Sequence, residues 1–231
     1  VYAFDAPVIE RPFDRRGLRS YFLPSPSGPI IVLRNGGGWR GDATRLVRRR
    51  YAEYLGTKHA RLTCSGSYSL HSALIGIGVG PGDEVITCAN TFYATVGAIN
   101  EVGAKPAFVD CTDSFQIDVD GIEAAITANT KAIMPVHWTG RIADMDAILD
   151  IAKRHDLLVV EDSAQTMGAY YRGRHGGTFG KANAISTHPL KNLNAVGDGG
   201  FLLTDDNAVA KKVRLYRNHG LEDRDICVLF G

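Results

Sequence analysis

Strand-like and helical patterns alternate along most of the chain, and this alternation limits the possible folds more than any other feature. Strand-like runs cover residues 59–64, 84–88, 107–111, 132–136, 157–161, 184–187 and 200–204. Helical patterns lie at residues 67–77, 91–102, 119–126 and 144–154, with a last one at about residues 207–217. Strands that alternate with helices form βαβ units. The sequence therefore predicts an α/β fold with a mostly parallel central sheet and helices on both faces.

The beginning of the chain has a different character. Residues 1–30 contain five prolines, at positions 7, 12, 24, 26 and 29, which predict an irregular, extended arm. A glycine-rich turn at residues 35–38 follows, and a helix is predicted from Asp42 to about Leu55. We therefore predict an N-terminal arm over residues 1–30 and one large domain over residues 31–231.

Charge and cysteine content restrict the classes of partner. The formal net charge is +1, so no overall field would recruit nucleic acid or a membrane surface. The sequence has neither the long apolar run of a membrane-spanning helix nor the apolar core of a signal peptide. Its four cysteines form no CxxC pair, which disfavours a zinc ribbon and suggests a reducing compartment. We expect a cytoplasmic protein that acts on small molecules, without a metal, a membrane or a nucleic-acid partner.

Two groups follow the first predicted strands at their carboxyl ends, where parallel α/β sheets bind ligands. The segment Ser65-Gly66-Ser67 opens a helix, and the free N–H groups of a helix N-terminus suit a phosphate. An ordinary N-cap is the alternative interpretation. Phe92 follows the second strand, where an aromatic ring can stack on a flat ligand or simply pack in the core.

Two more groups follow later strands. Asp162 ends a continuous apolar run, so its carboxylate lies at the edge of a buried region and needs a protonated pyridine, an arginine or a metal as its partner. Lys191 follows five residues after Ser186, where an amine can attack carbonyls or can be an ordinary solvated charge. Pyridoxal 5′-phosphate uses a phosphate site, a ring stack, a carboxylate and a lysine together, so this one cofactor explains all four groups.

Several segments resemble the DegT/DnrJ/EryC1/StrS aminotransferase family. They are Ser65-Gly66-Ser67, Thr91-Phe92, PVHWTGRIADMDAI, VVEDSAQTMGAYYRGRHGGTFG, STHPLKNLNAVGDGG and RNHG. The resemblance covers about residues 31–220, in family order. It implies the pyridoxal-phosphate-binding large domain of a fold-type I transferase. It also implies transfer of an amino group from glutamate or glutamine to a keto-sugar, preferably nucleotide-linked, or a related cyclic ketone in amino-sugar or antibiotic biosynthesis.

The resemblance implies roles for particular residues around the cofactor. Lys191 would be the Schiff-base lysine, Asp162 would face the pyridine nitrogen, and Gln165 would lie near the ring hydroxyl. Phe92 would stack on the ring. The residues implied to hold the phosphate are Gly66, Ser67 and Ser186.

Two histidines are implied to lie on the substrate side. His188 matches a family histidine close to the lysine, and a structural hydrogen bond is an equally good explanation for it. His137 follows a predicted strand, and a packing role explains it equally well. Neither histidine belongs to a predicted metal site.

The resemblance also implies a homodimer with a shared active site. The family's smaller C-terminal domain would be absent or truncated in this chain. Relatives with histidine in place of the lysine are dehydratases, so Lys191 favours transamination. The alternatives are a non-catalytic, cofactor-binding regulatory protein of the same fold and an aminocyclitol aminotransferase.

Overall fold

A computed structural model describes residues 9–10, 19–23, 30–34, 42–195, 197–223 and 225–229. The chain divides into two compact units, Val1–Tyr51 and Ala52–Gly231. The first unit contains a three-stranded antiparallel sheet and most of helix α1 (Asp42–Leu55). The strands of this sheet are β1 (Ile9–Glu10), β2 (Arg19–Leu23) and β3 (Ile30–Arg34), with β2 in the centre.

The expectation of irregular structure throughout residues 1–30 is wrong. Ile9 lies opposite Phe22 in the antiparallel pairing of β1 with β2, and Arg19 lies opposite Arg34 in the pairing of β2 with β3. The five prolines lie outside the residues that the structure describes. The predicted turn at residues 35–38 lies outside the described residues, and the predicted domain boundary at residue 31 stays a prediction.

The second unit is built on a seven-stranded sheet. Its strands and two accessory hairpins, in chain order, are β4 (His59–Thr63), β5 (Glu84–Cys88), β6 (Lys105–Val109), β7 (Thr130–Met134), β8 (Leu158–Asp162), β9 (Tyr170–Tyr171), β10 (Arg174–His175), β11 (Ala182–Ser186), β12 (Gly200–Thr204), β13 (Leu221–Asp223) and β14 (Ile226–Cys227). The order across the large sheet is β4-β12-β11-β8-β7-β5-β6. β12 is antiparallel to both neighbours and the other six strands are mutually parallel, which confirms the mostly parallel sheet.

Helices cover both faces of this sheet. They are α2 (Gly66–Ile77), α3 (Tyr93–Glu101), α4 (Met145–Arg154) and α5 (Asn207–Tyr216). One apolar core joins α2, α3 and α5 to the sheet, and a second core joins α4 to the opposite face. Successive side chains of a strand point to opposite faces, so Val85 enters the first core and Ile86 the second. None of the helices in the described part of the chain has the length and apolarity needed to cross a membrane.

The predicted helix at residues 119–126 is wrong. The segment forms two short 3-10 helices, Val119–Gly121 and Glu123–Ala125, and a third lies at Trp138–Gly140. Asp118 accepts a hydrogen bond from the N–H of Asp120, and Gly121 follows at once, so local capping competes with a continuous helix. Strands β6 and β7 each begin two residues before their predicted starts, because polar Lys105 and Thr130 both pair with Glu84 at the start of β5.

Candidate active site

A cavity of about 450 Å³ lies at the carboxyl ends of parallel strands in the second unit. All of the residues that the sequence predicts for the site line this one cavity: Gly66, Ser67, Phe92, His137, Asp162, Gln165, Ser186, His188 and Lys191. They extend along the sequence from Gly66 to Lys191, 125 residues later, and the strand topology brings them together.

The first turn of α2 lies directly against the end of β11. The N-cap Ser65 uses its Oγ to accept the N–H of Tyr68 at 3.1 Å. The N–H groups of Gly66 and Ser67 have no partner within the helix, as at every helix start. A Cβ on Gly66 would lie 2.6 Å from the Cβ of Ser186, so only glycine allows this approach. Backbone N–H groups and the Ser186 hydroxyl thus meet at a positive helix end that suits a phosphate.

Asp162 places a nearly buried carboxylate in the cavity, with 6% of the residue exposed. Its Oδ2 accepts the hydroxyl of Thr95 at 2.6 Å, and its Oδ1 accepts the N–H of Ala164 at 3.2 Å. Burial raises the pKa of Asp162, while the hydrogen bonds and the nearby His137 and Lys191 act in the opposite direction. A cationic ligand group such as a protonated pyridine nitrogen would stabilise the ionised form.

Thr95 is a site residue that the sequence reasoning missed. Its hydroxyl also lies 2.7 Å from that of Thr91, which lines the cavity. The two threonines are four residues apart, a spacing typical of one helix face. Asp162, the partner of Thr95, follows 67 residues later in the chain, and no local sequence pattern connects the two residues.

Lys191 closes a tight turn whose first residue is His188. The N–H of Lys191 donates to the carbonyl of His188 at 2.8 Å, and the N–H of Leu190 donates to His188 Nδ1 at 3.2 Å. His188 thus makes the structural hydrogen bond of the alternative interpretation, and its Nε2 lies 3.8 Å from an Asp198 oxygen. The Lys191 amine lies 5.9 Å from the ring centroid of Phe92, which is 49% exposed at the cavity. The turn therefore holds an amine and an aromatic ring beside the same space.

Gln165 is fixed by an unusual loop. The N–H of Thr139 donates to Gln165 Oε1 at 2.6 Å. Thr139 has a φ of 58°, in the left-handed region, and Gly140 follows with a φ of 82°. A Cβ on Gly140 would lie 2.8 Å from the carbonyl oxygen of Gln165. Because the amide oxygen is held by the loop, the amide nitrogen is the end that can donate to a ligand hydroxyl.

His137 uses both ring nitrogens within the fold. Its Nδ1 accepts the N–H of Ala143 at 3.2 Å, so the ring proton resides on Nε2, which donates to Glu161 Oε2 at 2.9 Å. The residue is buried. This geometry favours the packing role over a direct polar contact with substrate.

Glu161 is a second residue that the sequence reasoning missed, although it directly precedes Asp162. It is fully buried, and four donors surround it. Its Oε1 accepts the N–H groups of Phe179 and Gly180 at 2.5 and 2.7 Å, and its Oε2 accepts that of Gly177 at 2.8 Å besides His137. We call this arrangement the Glu161 network. It anchors the loop of residues 177–180 beneath the sheet end.

The cavity fits pyridoxal phosphate. Donors at the start of α2 match its phosphate, the buried Asp162 matches a protonated ring nitrogen, Phe92 offers an aromatic face and Lys191 an amine. In the part of the chain that the structure describes, no group of three or more His, Cys, Asp or Glu side chains is arranged to hold a metal ion. The residues present thus favour an organic cofactor that carries a phosphate.

Comparisons with known proteins agree with this chemistry. Residues 30–227 match the DegT/DnrJ/EryC1/StrS aminotransferase family. The chain is 49% identical over 190 residues to a pleiotropic regulatory protein of Geobacillus stearothermophilus, covering 82% of this chain and 51% of that protein. It is 43% identical over 188 residues to the GDP-perosamine synthase of Caulobacter vibrioides, covering 80% and 50% of the two chains. The chain thus spans about half the length of these curated relatives.

A solved structure extends the comparison to the fold and the cofactor. NtdA from Bacillus subtilis, with bound cofactor PMP, has a TM-score of 0.78 and 35% sequence identity. The match covers 83% of this chain and 44% of NtdA. The predicted architecture of a fold-type I transferase, a mostly parallel sheet between helices, is thereby confirmed.

Proposed function

The chain belongs to the DegT/DnrJ/EryC1/StrS aminotransferase family, whose members depend on pyridoxal phosphate, and we propose that the protein transfers an amino group from glutamate or glutamine to a keto-sugar. The observation that carries the proposal is the placement of Asp162 and Lys191 in one cavity with the first turn of α2. Residues 31–231 form the cofactor-binding domain in this proposal.

Each predicted residue has a defined task in such a transfer. Pyridoxal phosphate supplies an aldehyde that condenses with amines and a protonated ring that accepts electrons. Lys191 would hold the cofactor through its amine, and the same amine would carry a proton to or from the reacting carbon. Asp162 stabilises the protonated ring nitrogen by its negative charge. Phe92 would cover one face of the ring, and Gln165 would donate from its amide nitrogen to the ring oxygen.

The remaining cofactor residues bind rather than react. The N–H groups of Gly66 and Ser67 and the hydroxyl of Ser186 hold the phosphate at the start of α2, where the helix dipole favours negative charge. This proposed phosphate site and Asp162 line the same cavity, so the cavity offers the positive end of a helix dipole to a phosphate and a carboxylate to a protonated ring nitrogen. Contacts to both groups would restrict the orientation of the cofactor beside Lys191.

The proposed acceptor is a nucleotide-linked keto-sugar in amino-sugar biosynthesis, including that of antibiotics. The match to a GDP-perosamine synthase supports this class. Trp138 lines the cavity and Tyr93 beside it is 77% exposed, so aromatic surface is available for a sugar or a base. A related cyclic ketone, as in an aminocyclitol aminotransferase, is the alternative acceptor. Amine transfer to each class of ketone, followed by mass spectrometry, separates the two.

We further propose a cytoplasmic homodimer with a shared active site. Tyr93 and Leu190 both line the cavity, and they are 77% and 87% exposed, so apolar surface surrounds its mouth. A second copy of the chain would cover this surface and complete the site. Sedimentation equilibrium of the purified protein tests the proposal, and a monomer with full activity would contradict it.

The proposed reaction is tested by absorbance of the protein reconstituted with pyridoxal phosphate. The wild type should show a cofactor band that requires Lys191, and L-glutamate or L-glutamine should convert it to the pyridoxamine form. Lys191→Ala should lack the lysine-dependent band and lose at least about 10³-fold in amine transfer, because it loses both the amine and its proton. Wild-type protein that binds no cofactor while folded would overturn the proposal.

A second candidate is a cofactor-binding regulatory protein of the same fold. The 49% identity to a pleiotropic regulatory protein supports it. This candidate predicts the same Lys191-dependent band, but no donor should convert it. The donor step therefore distinguishes the two functions in a single titration.

A further inference from the structure

We propose that Thr95 is a positioning residue that holds Asp162 ionised and correctly oriented for the cofactor ring. The inference rests on the proposed function, because the role is defined by the ring that Asp162 is to face. Thr95 belongs to none of the sequence motifs that predict the site, and it does not line the cavity. It acts through Asp162.

The contact is short, buried and directional. Thr95 is 0% exposed, and its hydroxyl lies 2.6 Å from Asp162 Oδ2. An ionised carboxylate only accepts, so the hydroxyl of Thr95 is the donor. The oxygen of Thr95 can then accept the hydroxyl of Thr91 at 2.7 Å. The two threonines form a chain of hydrogen bonds that runs from the cavity wall to the carboxylate, and each bond strengthens the next.

The other groups that face Asp162 cannot replace this donor. His137 has both ring nitrogens engaged with Ala143 and Glu161. Lys191 is a neighbouring cation, but its amine is the group that binds the cofactor. The N–H of Ala164 donates to the other oxygen, Oδ1. Thr95 is therefore the donor to Oδ2 that stays in place whether or not the amine of Lys191 is engaged.

The same hydrogen bond ties two cofactor-binding elements together. Thr95 lies in the first turn of α3, and its N–H donates to the carbonyl of Phe92 at 3.1 Å. Phe92 is the N-cap of α3 and provides no side-chain cap. The side chain of Thr95 instead anchors this helix start to the end of β8. It thereby fixes the ring of Phe92 relative to the carboxylate that is to hold the ring nitrogen.

The test compares three single substitutions in the full chain. Thr95→Val keeps the shape but removes the hydroxyl, and Thr95→Ser keeps the hydroxyl but removes the methyl group. The matched control is Thr87→Val, because Thr87 is equally buried on the same sheet and its hydroxyl donates to the carbonyl of Met134 at 2.8 Å instead of to Asp162. The measured quantities are the Kd for pyridoxal phosphate across pH and the free energy of unfolding.

We expect Thr95→Val to weaken cofactor binding about ten- to a hundredfold, the size expected for a lost hydrogen bond to a charged group. Loss of the donor favours protonation of Asp162, so the acid side of the binding profile should move to higher pH. Thr95→Ser should bind nearly as the wild type does. Thr87→Val should lose a similar amount of stability without a change in Kd or in the pH profile.

Three outcomes would overturn the inference while wild-type protein binds the cofactor. In the first, Thr95→Val keeps the wild-type cofactor affinity and pH profile. In the second, Thr95→Ser loses as much cofactor affinity as Thr95→Val, and in the third Thr87→Val loses as much. If Thr95→Val does not fold, Thr91→Val is tested instead, because it removes only the hydroxyl that donates to Thr95. It should change the Kd and the pH profile in the direction expected for Thr95→Val, but by less. No shift in that variant would then overturn the inference. Absence of cofactor binding by the wild type would overturn the proposed function instead.

Discussion

Glu161 and Asp162 are neighbours at the end of β8, yet their carboxylates face opposite sides of the sheet. We also assign them different roles. Glu161 is 0% exposed and accepts four hydrogen bonds, two on each oxygen. Asp162 is 6% exposed, accepts one on each oxygen and lines a cavity. The two residues are thus buried to nearly the same extent, but they differ in the number of hydrogen bonds that each carboxylate accepts.

The difference separates a structural carboxylate from the one that we propose to bind the cofactor. A buried charge whose lone pairs are all used stabilises the loop around it and offers nothing to a ligand. A buried charge with lone pairs left over favours any cation that enters the cavity. Burial raises the pKa of Asp162, which is the cost of leaving that charge without a full set of partners.

The largest effect is expected from Glu161→Gln. The new amide nitrogen would face backbone N–H groups of the Glu161 network, so buried donors would lose their acceptor. We expect a loss of about 3 kcal/mol or more in the free energy of unfolding, measured by urea denaturation. A loss below about 1 kcal/mol, the worth of an ordinary hydrogen bond, would show that the network is not structural.

Substitutions of two glycines sharpen the comparison. One glycine lies at the proposed phosphate site, in the cavity that Asp162 also lines, and the other belongs to the Glu161 network. In Gly66→Ala the new Cβ would meet the Cβ of Ser186 at 2.6 Å, and in Gly180→Ala it would meet the carbonyl oxygen of Val159 at 2.6 Å. Each change should cost about 1–3 kcal/mol of stability through overpacking. Only Gly66→Ala should also weaken the binding of pyridoxal phosphate, by at least about tenfold, because it separates the phosphate donors. Equal cofactor affinity in the two variants would contradict the assignment of the phosphate site.

The pH dependence of the cofactor-free protein gives a third comparison. Because the pKa of Asp162 is raised above 3.8, the folded state keeps a proton that the unfolded state has lost. Stability should therefore fall as the pH rises from 3.8 through the folded pKa, by at most about 1.4 kcal/mol per pH unit. Asp162→Asn should lack this fall, as urea denaturation at a series of pH values can show. Parallel curves for the two proteins would contradict it.

The smallest effect is expected at Asp206, a partly exposed residue whose carboxyl pKa is shifted in the opposite direction. Its Oδ1 caps α5 through the N–H groups of Ala208 and Val209, and Lys181 pairs with its Oδ2 at 2.5 Å. These contacts lower its pKa to about 2. Asp206→Ala should cost about 1 kcal/mol near neutral pH. The difference is present above the ordinary pKa of 3.8 and should vanish as the pH falls through about 2; a difference that persists there would contradict the charge-based explanation.

Local signals in the sequence predicted much of the fold. The continuous apolar run of β5, after the turn at residues 81–83, was predicted with the bounds that the structure shows, Glu84–Cys88. The start of α4 was also predictable, because Asp144 caps it by accepting the N–H of Ala147. The pattern at residues 119–126 misled, since its apolar spacing is helical while Asp118 and Gly121 favour short turns.

The candidate site was predictable wherever a residue follows a strand end. Asp162 is the last residue of β8, Lys191 follows the end of β11 by five residues, and both line the cavity. Thr95 and the Glu161 network were not predictable, because their partners come from distant segments. Thr95 is 67 residues from Asp162, and Glu161 binds backbone N–H groups, which every residue type except proline offers. The sequence therefore predicted residues that line the cavity, Asp162 among them, but not the distant hydrogen-bond partners that hold the two buried acids.

Unfolding of wild type, Glu161→Gln and Asp162→Asn, each with and without pyridoxal phosphate at about 100 times the wild-type Kd, tests this division most directly. Bound cofactor should stabilise the wild type by about 2.7 kcal/mol. Asp162→Asn should be at least as stable as the wild type without cofactor, because it removes the buried charge, but it should gain about 1.4 kcal/mol or less with cofactor, as expected for a Kd at least tenfold higher. Glu161→Gln should be destabilised already without cofactor. An Asp162→Asn variant that unfolds as early as Glu161→Gln, or that gains as much from the cofactor as the wild type, would contradict the separation of the two carboxylates.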